Sequence, residues 1–339
     1  MLKIVIDAMG GDNAPAEIVK GALDALKERE DFKLVFTGDK ALVNAELSKY
    51  QYDLSRVQVV GCSEVITNDE SPTSAVRAKR DSSLVVGLRI LKEDPEAGAF
   101  ISAGSTGAVL TGGIMYVGRI KGVMRPALCP ALPNVHGGVT LLCDCGVNAE
   151  CKPAYFPQFA IMASAYAKAA FGIKDARVGL LNNGTEAHKG DTVHQEAYAL
   201  LEGTAGISFI GNVEGRDIMY GDVDVVVADG FSGNIALKAL EGCGKTVVDS
   251  IKHTFGSTAG GKFAYLFARK HLKKLQSTLD YSRYGGSLFL GLNKLVVKSH
   301  GSSKAKSITP SVVQAIDAYR GKLIETLTDM LSHASLEEA

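Results

Sequence analysis

Four short apolar runs in this chain each open into a polar, glycine-rich turn, and the residue types in those turns are ones that handle an anion. Ile4-Val5-Ile6 leads into Asp7-Ala8-Met9-Gly10-Gly11-Asp12. Ala99-Phe100-Ile101 leads into Ser102-Ala103-Gly104-Ser105-Thr106-Gly107. Val178-Gly179-Leu180-Leu181 leads into Asn182-Asn183-Gly184-Thr185-Glu186, and Val225-Val226-Val227-Ala228 into Asp229-Gly230-Phe231-Ser232-Gly233-Asn234. Glycine lets main-chain N–H groups approach a ligand closely, and the hydroxyls add donors. The Ser102–Gly107 turn is the best anion site, because Ala108-Val109-Leu110 can begin a helix whose dipole favours negative charge. A plain structural turn is the other reading of the same residues. Asn234 and Lys238 stand four apart, hence on one helix face, where an amide and an ammonium suit an oxyanion or a phosphate. Lys189 follows Glu186 and His188 in one loop, so it can neutralise phosphate while His188 shuttles a proton. Asp12 or Asn13 can cap a helix beginning near Pro15. Asp7 is harder to explain as a cap and is a candidate for orienting another site residue.

Several other chemistries are excluded by spacing. Gly244-Lys245-Thr246 resembles the end of a P-loop, but Ala239 occupies the required earlier glycine position. No dinucleotide fingerprint of the G-x-G-x-x-G type is present, and no G-x-S-x-G elbow marks a serine hydrolase. Cys143, Cys145 and Cys151 near His136 lack a zinc spacing. Lys and Arg total 37 against 37 Asp and Glu, so net charge gives no signal for nucleic acid. The arginines and lysines Arg77, Lys79, Arg80, Arg119, Lys121 and Arg125 form local clusters that fit a phosphate, an acidic protein or a solvated face.

The elements that must position these turns follow from the hydrophobic pattern. Strands are predicted at Leu2–Ile6, Leu34–Thr37, Val57–Val60, Ala99–Ile101, Val139–Leu142, Val178–Leu181, Ser208–Ile210, Val223–Ala228 and Leu295–Val297. Helices are predicted at Ala16–Lys27, Ser74–Lys92, Phe156–Ala170, Thr192–Leu201 and Asn234–Lys252. A last helix, Thr309–Leu331, carries Pro310 in its first turn. Alternation of strand and helix, with strands read as continuous apolar runs, predicts a largely parallel sheet covered by helices on both faces. In such sheets ligands bind beyond the carboxyl ends of the strands. With 339 residues, two domains or one large α/β unit are expected. The N-terminus opens directly on a strand rather than a secretory signal, so the six cysteines point to a reduced, cytosolic setting. Lys252–Leu279 breaks the pattern. It holds six Lys or Arg and no Asp or Glu, with Phe255, Phe263, Leu266, Phe267, Leu272, Leu275 and Leu279 at roughly helical spacing. Gly260-Gly261 divides it, so a projecting helical hairpin is expected. Such a segment lies on an anionic membrane, receives an acidic partner, or packs on the body or on a second subunit.

Taken in order, the turns resemble those of the bacterial phosphate acyltransferases of phospholipid synthesis, which move a fatty acyl group from acyl carrier protein to inorganic phosphate. The resemblance runs from Asp7–Asp12 and Ser102–Gly107 through Gly118-Arg119-Ile120-Lys121-Gly122 with Arg125-Pro126-Ala127. It continues in Gly184-Thr185-Glu186 with Lys189-Gly190, and in Asp229–Asn234 with Leu237-Lys238. It ends in Tyr284-Gly285-Gly286 and His300-Gly301-Ser302-Ser303, and so spans nearly the whole chain. Ser105 stands where that family usually has Asn, Asn183 where Val is usual, and Asp144-Cys145-Gly146-Val147-Asn148-Ala149-Glu150 where Asp-Val-Gly-Ala-Asn-Val-Asp is usual. The cysteines there therefore look incidental. The resemblance implies a three-layer α/β/α fold with a mostly parallel sheet, similar to phosphotransacetylase and isopropylmalate dehydrogenase. Residues 1–339 then form one unit, with 252–280 projecting from it. It also implies a homodimer, no cofactor, and a cytosolic enzyme that visits the membrane surface and passes its product to a membrane glycerol-phosphate acyltransferase.

The expected chemistry is direct transfer. Ser105, Thr106 and Gly107 seat phosphate, helped by the backbone of Gly10, Gly11, Ser102, Gly104, Gly184 and Thr185. Lys189 and Lys238 supply charge, Asn234 stabilises the oxyanion, His300 protonates the leaving thiol, and Asp7 and Asp229 orient the cationic groups. Two alternatives stand beside it: an acyl-phosphate transferase using a coenzyme A thioester, and a non-catalytic acyl-chain or membrane-binding regulator.

Overall fold

Burial on both faces makes the apolar runs into the central strands of two sheets. The computed structural model describes residues 1–278 and 281–334. The strands are β1 Leu2–Asp7, β2 Phe32–Gly38, β3 Val57–Gly61, β4 Ala97–Ser102, β5 Ala127–Cys129, β6 Ala131–Pro133, β7 Val139–Cys143, β8 Arg177–Asn182, β9 Ser208–Glu214, β10 Val225–Val227, β11 Ser287–Leu290 and β12 Leu295–Lys298. The helices are α1 Ala16–Glu28, α2 Lys40–Leu47, α3 Pro72–Ala78, α4 Ser83–Glu93, α5 Thr106–Gly112, α6 Tyr155–Phe171, α7 Thr192–Glu202, α8 Gly230–Gly256, α9 Ala259–Thr278, α10 Ala305–Arg320 and α11 Leu323–His333. One sheet has the order β3-β2-β1-β4-β12-β11-β5 and the other β6-β7-β10-β8-β9. Pairing is parallel except where β11 meets β12 and β5, and where β6 meets β7. This is the mostly parallel α/β/α architecture expected.

Pro130 separates β5 from β6, so the chain steps from one sheet to the other there. Main-chain bonds from Leu142 N to Pro130 O and from Cys145 N to Leu128 O bring the sheets together. One apolar cluster runs from Ile4 and Ile6 through Phe156, Phe159 and Tyr166 of α6 to Val178 and Val225, joining the cores of both. A second cluster, built around Val5, Phe100 and Leu88 of α4, covers the opposite face of the first sheet.

Three segments differ from the sequence-based expectation, each for a local reason. Ser74–Lys92 is two helices, because Ser82 leaves the helix and caps α4 by accepting from Val85 N at 3.4 Å. Thr309–Leu331 is also two helices. Pro310 sits inside α10 rather than in its first turn, and the chain turns at Lys322, whose φ is 55°. A Cβ on Gly321 would stand 1.9 Å from Ala169 O, so this corner is pressed directly onto α6. The hairpin of α8 and α9 divides at Ser257-Thr258 instead of Gly260-Gly261, with Thr258 Oγ1 accepting from Gly261 N at 3.0 Å. Leu279 and Asp280 of that segment lie outside the described residues. Strands β5, β6 and β11 have three or four residues each and escape a periodicity reading.

Candidate active site

Because β1, β4 and β12 are neighbours, the turns at their carboxyl ends pack on one another. Asp7 is buried and accepts from Ser102 Oγ at 2.7 Å and Met9 N at 3.2 Å. Ser102 Oγ accepts in turn from Gly104 N at 3.0 Å. A Cβ on Gly10 would lie 2.6 Å from Asp7 Oδ2 and 2.8 Å from Gly104 N, so this knot closes only with glycine there. Gly11 (φ +96°) leaves room for Gly301 O, to which Asp12 N donates at 2.8 Å. Asn13 Nδ2 donates to Ser302 O at 3.1 Å and does not cap α1, whose N-cap is Pro15. The expectation that Asp7 orients a cationic group is corrected in one respect: its direct partners are a hydroxyl and main-chain N–H groups. Burial raises its carboxyl pKa despite those bonds.

The second sheet brings in α8. Asp229 caps it, accepting from Phe231 N at 3.0 Å and Ser232 N at 2.8 Å. Gly230 and Gly233 let the helix rest on the Asp144–Asn148 turn, since a Cβ on Gly233 would be 2.0 Å from Asp144 O. Asp144 itself accepts from Leu128 N at 2.8 Å, Asn148 N at 2.6 Å and Asn148 Nδ2 at 2.9 Å. Buried acceptors so fully engaged make a rigid seat. Gly146 approaches Asn234 from that turn.

Between the three turns and α8 lies a cavity of about 410 Å³. Thr106, Asn234, Lys238 and His300 line it, drawn from three distant parts of the chain. Ser105 and Gly107 flank Thr106 at the start of α5. Asp7, Gly10, Gly11, Ser102 and Gly104 are not lining residues; they pack on one another, with Gly11 against the lining residue Gly301. Leu128, Leu132 and Leu237 give the cavity an apolar side.

Four expected residues lie elsewhere. Gly184, Thr185 and Lys189 are not among the lining residues, because their loop folds on itself: Lys189 Nζ lies 3.9 Å from Glu186 Oε1, and a Cβ on Gly184 would press on both side chains. Lys189, expected to supply charge to the phosphate, faces Glu186 here. Asp229 also lies off the cavity and faces His194. Of the basic clusters, Lys79 pairs with Glu70 at 2.8 Å and Arg119 donates to Val123 O at 3.2 Å, so both stabilise their own loops.

Lys298 and Glu241 complete the cavity and were missed from sequence. Glu241 binds Lys238 Nζ at 2.7 Å. Lys298 ends β12, and its place directly after the apolar run Leu295–Val297 is the signal that Asp7 and Ser102 also carry. Burial, with the nearby Lys238 ammonium, pushes its pKa down to about 8. Burial and the same cation lower that of His300. His300 Nδ1 accepts from Ser302 N at 3.2 Å and lies 2.8 Å from Ser302 Oγ, so the neutral ring carries its proton on Nε2. Its expected role is that of acid for the thiol; as a neutral ring it presents the Nε2–H as a hydrogen-bond donor. Cys145 is also a lining residue, but its thiol donates to Leu142 O at 3.6 Å and burial raises its pKa well above the ordinary range, which leaves it a poor nucleophile.

His194 is a further residue that the sequence left unmarked. Nδ1 lies 2.7 Å from Asp191 Oδ1 and Nε2 3.6 Å from Asp229 Oδ2, so the ring ties α7 to the cap of α8. The Asp229 carboxylate raises the His194 pKa, burial opposes this, and Asp191 adds to the rise. Asp229 is held at about 2, burial being outweighed by the contacts from His194 and Ser232. A raised histidine stabilises the fold fully below its unfolded value of about 6.5, and that contribution is lost as pH rises through the folded value. Wild type is therefore expected to exceed His194→Gln in thermal stability by more at pH 6 than at pH 8.5. Thermal melts across that range check it, and an advantage that grows with pH would show a ring bound neutral.

A family model described as fatty acid synthesis protein matches residues 2–326. A phosphate acyltransferase of Clostridioides difficile (strain 630) is 45% identical over 98% of this chain and 96% of its own length. One of Halothermothrix orenii is 46% identical over 92% of this chain and 93% of its own. Among solved structures, a phosphotransacetylase of Streptococcus pyogenes superposes with a TM-score of 0.62 at 19% identity, covering 96% of this chain and 94% of that one. A branched-chain phosphotransacylase of Enterococcus faecalis gives 0.57 at 15% identity, covering 94% and 99%. These structures share the fold.

Proposed function

Because this chain belongs to the phosphate acyltransferase family of fatty acid synthesis proteins, we propose that it transfers a long-chain acyl group from acyl carrier protein to inorganic phosphate. Acyl phosphate for phospholipid synthesis is the product. The observation that carries this reading is the cavity where Thr106, Asn234, Lys238 and His300 meet beside an apolar wall.

The reaction asks little of a protein base. Phosphate is substantially dianionic at neutral pH, and the leaving thiol has a pKa of about 8.5. The demands are to hold a dianion against the thioester carbonyl and to stabilise the charge on its oxygen. A phosphate oxygen attacks the carbonyl carbon, the C–S bond breaks, and the thiolate takes up the proton that phosphate loses on acylation. Thr106 and the start of α5 receive phosphate, with Lys238 adding charge. Asn234 Nδ2 and the Nε2–H of neutral His300 donate to the oxyanion. Asp7 and Asp229 act at one remove, Asp7 by holding Ser102 and the β4 turn, Asp229 by capping α8.

The same reading places the protein on a membrane surface as a homodimer that receives acidic acyl carrier protein and hands acyl phosphate to a membrane glycerol-phosphate acyltransferase. Among the described residues, no helix is long and apolar enough to cross a membrane. Support for surface binding comes from α9, where Phe263, Leu266 and Phe267 are 64%, 66% and 74% exposed, beside Lys262, Arg269 and Lys270. Phe263→Asp with Phe267→Asp is expected to reduce co-sedimentation with phosphatidylglycerol vesicles by tenfold or more. Unchanged binding would remove α9 from that role.

The deciding assay follows acyl phosphate formation from palmitoyl acyl carrier protein with and without inorganic phosphate. Phosphate-dependent release of free carrier protein together with acyl phosphate is expected. Turnover only with a coenzyme A thioester would move the assignment to that donor. Silence with both, alongside lipid binding, would favour a non-catalytic regulator.

A further inference from the structure

Lys298 is 8% exposed and is one of the residues that line the cavity. Burying an ammonium is costly unless a counter-charge accompanies it. Its Nζ donates to the adjacent Ser299 carbonyl. Among the described residues no carboxylate lies within ion-pair distance of it. Asp12 and Asp7 act on it only through space, and Asp7 is already engaged by Ser102 Oγ at 2.7 Å. The other lysine of the cavity differs, since Lys238 is bridged to Glu241 at 2.7 Å. One cation of the cavity is thus compensated and the other is not. Lys298 also stands opposite Ser102 in the parallel register of β12 and β4, at the foot of the turn that leads to Thr106.

We propose that Lys298 is the principal phosphate-binding residue of this site, and that a phosphate group entering the cavity is its missing counter-ion. The proposal deepens the acyl-transfer reading and rests on it for which reaction the bound phosphate serves. At neutral pH the amine stays mostly protonated, since its pKa of about 8 lies above 7. A dianion drawn up to it raises that value again, so binding and charging favour each other. Two phosphate groups would reach this cavity: the inorganic nucleophile and the phosphodiester of a pantetheine arm. The place of Lys298 beside the Thr106 turn favours the nucleophile, whose two charges match a buried ammonium better than one.

The test uses the full-length protein without acyl donor, at pH 7 and constant ionic strength. Thermal melts are recorded across a series of inorganic phosphate and, in a second arm, of the methyl phosphodiester of 4′-phosphopantetheine, which carries the single charge of the carrier-protein linkage. Wild type is expected to melt higher as inorganic phosphate rises. Lys298→Met is expected to melt at the same temperature or higher without phosphate, because an uncompensated buried charge has gone. Its half-saturating phosphate should rise at least tenfold, with Lys298→Arg recovering part of the response. A Lys298→Met response equal to wild type would overturn the proposal. A response to the diester alone would overturn the assignment to the nucleophile. Should Lys298→Met fail to fold, limited acetylation of wild type read by peptide mass spectrometry decides the matter. Inorganic phosphate should protect Lys298 but not Lys294, and equal labelling with and without phosphate would overturn the proposal. Because no acyl donor is present, failure of acyl transfer from carrier protein with phosphate protection intact would count against the donor assignment alone.

Discussion

Asn234→Ala is expected to lower kcat for acyl transfer by about 10²–10³-fold, the effect of deleting one preorganised oxyanion donor. The fold should not suffer. Asn234 is exposed to the cavity in the second turn of α8, and alanine is the better helix former by roughly half a kcal/mol. Loss of rate at an unchanged or slightly higher melting temperature is therefore the signature. If the amide acts mainly on the transition state, kcat and kcat/KM fall together while the KM for phosphate moves little. A rise in that KM at constant kcat would instead make Asn234 a phosphate ligand. Steady-state kinetics with phosphate and carrier-bound palmitate varied in turn separate the two. A rate within threefold of wild type would take Asn234 out of the chemistry.

Gly233→Ala, one residue away, should damage both fold and activity. In an ordinary helix interior this change stabilises by up to about 1 kcal/mol. Here the new methyl would stand 2.0 Å from Asp144 O and 3.2 Å from Asp144 C. Those are main-chain atoms of a buried residue whose carboxylate is held by Leu128 and Asn148, so they have nowhere to go. Overpacking of this kind destabilises by about 1–3 kcal/mol or more. The helix must lift from its seat, taking Asn234 and Lys238 with it, and a shift of about 1 Å in a catalytic group can cost about 10²-fold in rate. Gly242→Ala on the same helix is the control, because nothing lies within 4 Å of a Cβ there. It should raise the melting temperature slightly and leave turnover alone. Calorimetry and kcat/KM on the pair test the argument. A Gly233→Ala enzyme as stable and active as wild type would show that α8 is not seated on Asp144.

Both effects rest on residues whose types were legible in the sequence but whose relationship was not. The run Val225–Ala228 followed by Asp229-Gly230 announces a buried parallel strand, a cap and a helix start. Burial on both sheet faces removes polar alternation until the strand ends, so the first polar residue marks the ligand-facing edge. That local rule also identified Asp7, Ser102 and the Asn182 turn. It overlooked Lys298, because one lysine after Leu295–Val297 has the same local appearance as any strand end. What makes it unusual is burial among β4, β11 and α10. His194 escaped because its contact with Asp229 joins two helices far apart in sequence, and Glu241 because only the cavity gives its local pairing with Lys238 a place in the site.

Which turns share a cavity was decided by sheet order. Lys189 and Thr106 follow strands with the same local grammar. Yet β4 lies between β1 and β12, whereas β8 lies in the other sheet next to β9, the strand at its edge. Neighbouring strand ends converge irrespective of their separation along the chain. Thr106 therefore meets His300, while the loop of Lys189 closes on Glu186. By itself the sequence determined the strand and helix grammar, the fold class and the anion-handling character of the turns, because each follows from periodicity and residue chemistry over a few positions. Tertiary structure alone decided which four of those residues face one cavity, that Asp7 bonds Ser102, and that Lys298 is a buried cation with no carboxylate of the described residues paired to it. These depend on distances between strand ends and on burial by distant elements, and local spacing carries neither.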